Sequence, residues 1–214
     1  MTATATRLLL LGSVMVFEPV NGYQLRRELL SWRVDEWAHV NPGSIYSGLS
    51  TLARLGHLER HDLVDGGREV AVYTSTAEGR EHFATMWRAA AETVDLLSPL
   101  DFHTAMSLLG LVDRRDAIDA FTGRLAALDA EIRRQADTFP DLSAVPPNVR
   151  AMADLWVGLA VTEREWLVDV IARLRRGELD VRGEEPGWAP APDDPGWVMS
   201  RDRERYTELI RALG

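Results

Sequence analysis

Helical spacing of apolar residues dominates this chain, with one interval of strand-like alternation. Thr6 to Val16 is mostly apolar, with four leucines in a row from Leu8 to Leu11, and predicts a helix that stops before Pro19. Asn21, with Gln24 three positions on, is a variant of the capping box and predicts a second helix from about Gly22 to Trp32, with Leu25, Leu29 and Trp32 on one face. A polar stretch holding Trp37 follows. Asn41 before Pro42 then supplies a cap and a proline at the first helical position. Ile45, Leu49, Leu52 and Leu55 recur at steps of four, three and three, so a third helix buries one stripe and ends at Gly56. Its other face holds Ser44, Ser47, Ser50, Thr51 and Arg54, which are small, polar and free of acid.

The alternating interval comes next. His57 to Val64 and Glu69 to Ser75 flank Asp65-Gly66-Gly67-Arg68, where two glycines suit the positive φ angles of a tight hairpin turn. Thr76 opens a further helix expected to run to about Leu97. Beyond Pro99, Asp101 to Leu109 predicts a short helix, and residues 113–137 carry Ile118, Phe121, Leu125, Leu128 and Ile132 as a heptad seam. A linker around Pro140, Pro146 and Pro147 leads to a long helix marked by Val149, Met152, Trp156, Leu159, Trp166, Val170 and Leu174 and ended at Gly177. Residues 183–197 hold four prolines with Trp188 and Trp197, and read as an extended loop, either packed by its aromatics or mobile. An amphipathic helix from about Ser200 to Leu213 closes the chain. The expected fold is mainly α with a small β-hairpin.

Composition narrows the chemistry. The 214 residues, 46% hydrophobic and 27% charged, suit a folded protein with a real core. Cysteine is absent, which removes disulfides, thiolate nucleophiles and Cys-based zinc sites. No nucleophile elbow, phosphate loop, paired zinc histidines or dinucleotide fingerprint occurs, so neither an enzyme nor a cofactor is expected. His57 and His61 share one face with Asp62 nearby but lack a third ligand, which reads as incidental alternation. The early apolar run is too short to span a bilayer and has no cleavage site after it, so the chain is expected to be cytoplasmic, with no membrane partner.

The net charge of -9 argues at first against nucleic acid. Its distribution changes that. Residues 1–80 carry 8 arginines and 9 acids, a net of -1, whereas residues 81–214 carry 16 arginines and 24 acids, a net of -8. Between residues 41 and 58 the only basic groups are Arg54 and His57, and there is no acid. All 24 cations are arginines, each a planar, permanently charged fork. Three helices followed by a β-hairpin give the plan of a winged helix-turn-helix. In that plan the third helix presents a small polar face to base edges and the hairpin tip, here Arg68, meets the neighbouring backbone.

The residues themselves carry a resemblance. Asn21-Gly22-Tyr23-Gln24-Leu25, Pro42-Gly43-Ser44-Ile45-Tyr46 continuing through Leu49 and Leu52 to Leu55-Gly56-His57-Leu58, and Tyr73-Thr74-Ser75-Thr76-Ala77-Glu78-Gly79-Arg80 resemble the PadR family of transcriptional regulators over residues 7 to about 83. The resemblance implies a winged helix in residues 1–97 and, by architecture alone, a helical dimerisation and effector-binding domain in 98–214. It places Tyr23, Ser44, Tyr46, Ser47, Arg54 and Arg68 against DNA. The chain departs from the family pattern at Ser47-Gly48, where proline and alanine are usual, and at Ser75, where leucine is usual. Tyr23 and Tyr46 are open to two readings, a ring packed on the core with a wet hydroxyl, or a phosphate contact. Arg54 and Arg68 are read as DNA contacts in preference to solvated surface cations.

Seven tryptophans invite two readings as well. They fill the core and a dimer interface, or Trp32, Trp37, Trp156 and Trp166 wall a pocket for a small aromatic effector. The function expected is that of a homodimeric, ligand-responsive repressor on a near-palindromic operator in double-stranded DNA. The alternatives are a protein-interaction module whose winged helix no longer binds DNA and, more remotely, a small-molecule carrier or enzyme using the tryptophan-rich region.

Overall fold

The computed structural model of the protein describes residues 3–38, 40–138, 145–187, 189, 191–194 and 196–213. Helix α1 (Ala3–Phe17) lies at the centre. Leu8 to Leu11, Ser13 and Val14 are all buried, which is what a helix apolar on every side requires. Two-residue strand β1 (Val20–Asn21) leads into α2 (Gly22–Ser31), and the capping box of Asn21 and Gln24 is present in both directions. A one-turn helix α3 (Val34–Trp37) follows, entered through Arg33 in the left-handed region. Helix α4 (Pro42–Arg54) is the third helix expected from the sequence, with the Asn41 side chain accepting from the Gly43 amide. The hairpin is β2 (Leu58–Asp65) and β3 (Arg68–Ser75), and β1 adds to its far edge in the antiparallel order β1-β3-β2. Gly66 and Gly67 have φ of 57° and 83°, which gives the turn its hand.

Helix α5 (Ala77–Glu92) is capped by Thr76. It ends five residues before the expected limit, because Thr93 is extended and its carbonyl accepts from buried Arg124, while Asp95 draws the Leu97 and Ser98 amides into a turn. Helix α6 (Leu100–Ser107) and a 3-10 turn (Leu109–Leu111) precede α7 (Arg114–Thr138) and α8 (Pro147–Arg176), which stops at Gly177 in the left-handed region. The last helix, α9 (Gly196–Arg211), begins before Ser200, so Trp197 belongs to a helix and not to the preceding loop. Trp188 and Pro140 lie outside the described residues. No helix among the described residues is long and apolar enough to cross a membrane.

Two elements leave no signal in the sequence, for a physical reason. Strand β1 is too short to show alternation, and α3 places Trp37, expected in an irregular polar stretch, on a single helical turn. One apolar cluster joins Leu8 to Leu11 with Leu25, Leu52, Phe83 and Trp87 and continues through Phe102, Phe121, Leu128, Leu167 and Leu174. The α7 seam is therefore used inside the chain, against α5 and α8. Glycine sets two of the closest approaches. A Cβ on Gly48 would lie 2.3 Å from Leu10 Cδ1, and one on Gly79 would lie 2.0 Å from the His57 carbonyl oxygen.

Candidate nucleic-acid interface

Helices α2 and α4 meet at their starts. The Tyr46 ring covers the Gly22 backbone so closely that a Cβ there would be 2.9 Å from the ring. Tyr46 thus packs its ring on the start of α2, yet stays 45% exposed, and Tyr23 is 65% exposed. Tyr46, Ser47, Ser50 and Arg54 are all exposed, at helical spacings of one, three and four along the outer face of α4, while Ser44 is half-buried. The Ser44 hydroxyl donates to the Asn41 carbonyl (2.7 Å) and the Ser47 hydroxyl to the Ser44 carbonyl (3.0 Å), leaving oxygen lone pairs outward as acceptors. Glycine at 48 lets this helix close on Leu10, so the departure at Ser47-Gly48 has a packing role.

The charges on this side are separated by pairing. Arg33 is tied to Glu36 and Arg60 to Asp62, while Arg80 reaches Glu18. Among the described residues Arg54 and Arg68 have no acidic partner, and neither does Arg26, one turn after Tyr23 on α2. Arg26 does not stand out in the sequence, because a lone arginine beside Arg27 carries no signal until Arg27 is seen bound to Glu28. Arg68 stands at the hairpin tip opposite Asp65, next to glycines with open space around them, and Val64 leaves a large apolar side chain exposed there. Ser75, at the other sequence departure, accepts from Arg80 and donates to Glu18, replacing an apolar contact by a polar one at the end of β3.

A cavity of about 890 Å³ opens beside the α2–α3 turn. Trp32 and Trp37 line it from the α2–α3 turn, Phe102, His103 and Met106 from α6, and Leu159, Glu163 and Trp166 from α8. The Trp37 indole N–H donates to the Trp32 carbonyl (2.9 Å), and Trp166 stands edge-on to Phe102 at 6.0 Å. Arg124, 1% exposed, lies 3.7 Å from the centre of the Phe102 ring and donates to Glu163 (2.6 Å). Three of the four tryptophans expected from the sequence meet here. Trp156 does not: it sits on an exposed stretch of α8, ten residues and about 15 Å of helix rise from Trp166.

His57 and His61 go separate ways. The His57 ring stacks on His82 at 4.2 Å, and the His61 ring bonds the Thr74 hydroxyl. Among the described residues no group of three or more His, Asp or Glu is placed to hold a metal. Glu163 is held by Arg124, and Glu165 lies on the same helix without forming a pair with it.

Comparison with known proteins gives two findings. A family model described as the transcriptional regulator PadR-like family matches residues 10–85. The crystal structure of Bacillus subtilis PadR in complex with operator DNA is similar at 17% identity and a TM-score of 0.34, covering 79% of this chain and 98% of that one. No protein of curated function matches the chain in sequence.

Proposed function

We propose, from the match of residues 10–85 to the PadR-like family of transcriptional regulators, that the protein is a DNA-binding repressor, cytoplasmic and without enzymatic activity, that acts as a homodimer and responds to a small aromatic ligand. Residues 1–97 hold the operator in this reading, and residues 98–214 dimerise and bind the effector. The observation that carries the reading is the face shared by α4 and the wing. The hydroxyls of Ser44 and Ser47 keep outward lone pairs as acceptors, α4 holds no acid between residues 41 and 58, and among the described residues Arg54 and Arg68 form no ion pair. A face spent on structural ion pairs would look different.

Each subunit presents α4 to the major groove and the wing to the adjacent backbone, so half-sites lie one helical turn or a multiple of it apart. The dimer reading is supported by α8. Val149, Met152, Leu155, Trp156 and Leu159 are exposed on its first half, whereas Leu167, Val170, Ile171 and Leu174 are buried on its second. A contiguous exposed apolar stripe of that kind suits a contact between subunits. The effector reading is supported by the aromatic cavity, whose walls come from both α2–α3 and α8 and so link ligand occupancy to the placement of α4.

The test is selection of genomic duplex fragments by the purified full chain, followed by binding to the selected fragment with and without aromatic compounds. The regulator reading requires a recovered near-palindromic fragment. Failure to retain any duplex at low salt leaves the interaction-module alternative.

A further inference from the structure

Helix α9 lies on the outer face of the three-stranded sheet, opposite α1 and α4. Tyr206 is 2% exposed against Leu63 and Val72, with Leu209 and Ile210 beside it. Four of its polar side chains, Asp202, Arg203, Arg205 and Tyr206, reach the winged helix. The Tyr206 hydroxyl accepts from the Asn21 side chain (2.9 Å), and Asp202 accepts from the Gln24 side chain (2.6 Å), so both members of the α2 capping box are held from the far end of the chain. Arg203 donates to the Val16 and Phe17 carbonyls at the end of α1. Arg205 donates to Asp65 (2.8 Å) and lies 2.9 Å from Asp202.

We propose that Arg205 of α9 sets the charge of the wing tip by cancelling Asp65, so that the tip offers the duplex Arg68 balanced only by the exposed Glu69 beside it, and not a net negative charge. This rests on the DNA-binding reading above. Asp65 is the last residue of β2 and pairs in register with Arg68 across the turn. Left alone, its carboxylate would stand beside the one cation of the tip and oppose the approach of phosphate at distances well inside the screening length of physiological salt. A salt bridge from a helix about 140 residues away removes that repulsion. The wing carries no second cation of its own at the turn and has Glu69 exposed next to Arg68, so an unpaired Asp65 would leave the tip net negative. Arg205 is a positioning residue: it acts through Asp65 and touches no DNA in this scheme.

The test is a duplex-binding titration with the full chain and three variants. Arg205→Ala should lose roughly three- to tenfold in affinity at moderate salt. Asp65→Asn alone should bind as tightly as the parent or tighter, and Arg205→Ala with Asp65→Asn should recover the parent affinity. Rescue by Asp65→Asn separates charge control from a merely structural role, because an undocked α9 would leave both Arg205→Ala chains equally weak. An unchanged affinity for Arg205→Ala, or a loss that Asp65→Asn does not repair, overturns the inference while the DNA reading stands. Absence of any duplex binding by the parent chain overturns the DNA reading itself, and this inference with it.

Discussion

Gly79 sits where α5 begins against the turn that follows α4, and an added methyl group meets the His57 backbone carbonyl at 2.0 Å with nothing able to swing aside. Gly79→Ala is therefore expected to destabilise the protein by at least about 2 kcal/mol in urea denaturation. Gly48→Ala meets only the flexible end of Leu10 and gains about 1 kcal/mol of helix propensity, so its loss should be clearly smaller. In the same turn His57 stacks its ring on that of His82 of α5. His57 Nδ1 is buried there without a hydrogen-bond partner. Burial first, then the His57 ring and Arg7 of α1, hold the His82 imidazole below its ordinary value, with Glu78 of α5 pulling the other way. A lowered folded-state value favours the neutral ring, so its contribution to stability is complete above about pH 6.5 and is lost as the pH falls through the lower folded value. The melting temperature should drop between pH 7 and pH 5, and His82→Gln should make that drop shallower; an identical drop would remove His82 as its source. The Asn21–Gln24 capping box is legible in the sequence because it closes within three residues. The role of Ser75 is not, because its acceptor Glu18 is 57 residues away.

Helices with strong periodicity can be placed from sequence, and their partners cannot. The α7 heptad has the pattern of a dimer seam, yet Phe121 and Leu128 are spent inside the chain; the exposed seam is on α8, where the same spacing of Val149, Met152, Trp156 and Leu159 is uncovered among the described residues. Periodicity reports that a face is apolar and not what lies on it. Met152→Asp together with Leu155→Asp should turn a dimer into a monomer in sedimentation while leaving far-UV circular dichroism unchanged, since neither residue is buried in the subunit. A dimer that survives both changes would place the interface elsewhere. Helix α9 gives the same lesson from the other side. Its amphipathic pattern is evident in the sequence, but only the fold shows that its apolar residues cover the sheet and that its polar residues reach Asn21, Gln24 and Asp65.

For the molecule as a whole, the acidity expected to oppose DNA binding is confined mainly to residues 81–214, and among the described residues Arg54 and Arg68, on α4 and the wing, form no ion pair. Two distant regions of the chain meet this winged helix: α6 and α8 form the aromatic cavity with Trp32 and Trp37, and α9 holds the sheet. The number of tryptophans suggests that some from distant parts of the chain meet, but their spacing does not say which, and the fold separates Trp156 from Trp166. Binding to a duplex should be local and strongly dependent on salt, because few cations make the contact and the rest of the surface is acidic. The most direct test is a titration of affinity for a selected duplex against salt for the parent chain and for Arg54→Ala with Arg68→Ala. The parent should give a straight line in log affinity against log salt. The double variant should give a weaker line, shallower in slope by about 0.9 for each phosphate it no longer neutralises, with the fold intact. Equal affinity and equal slope for the two proteins would mean that α4 and the wing do not hold the duplex through these cations.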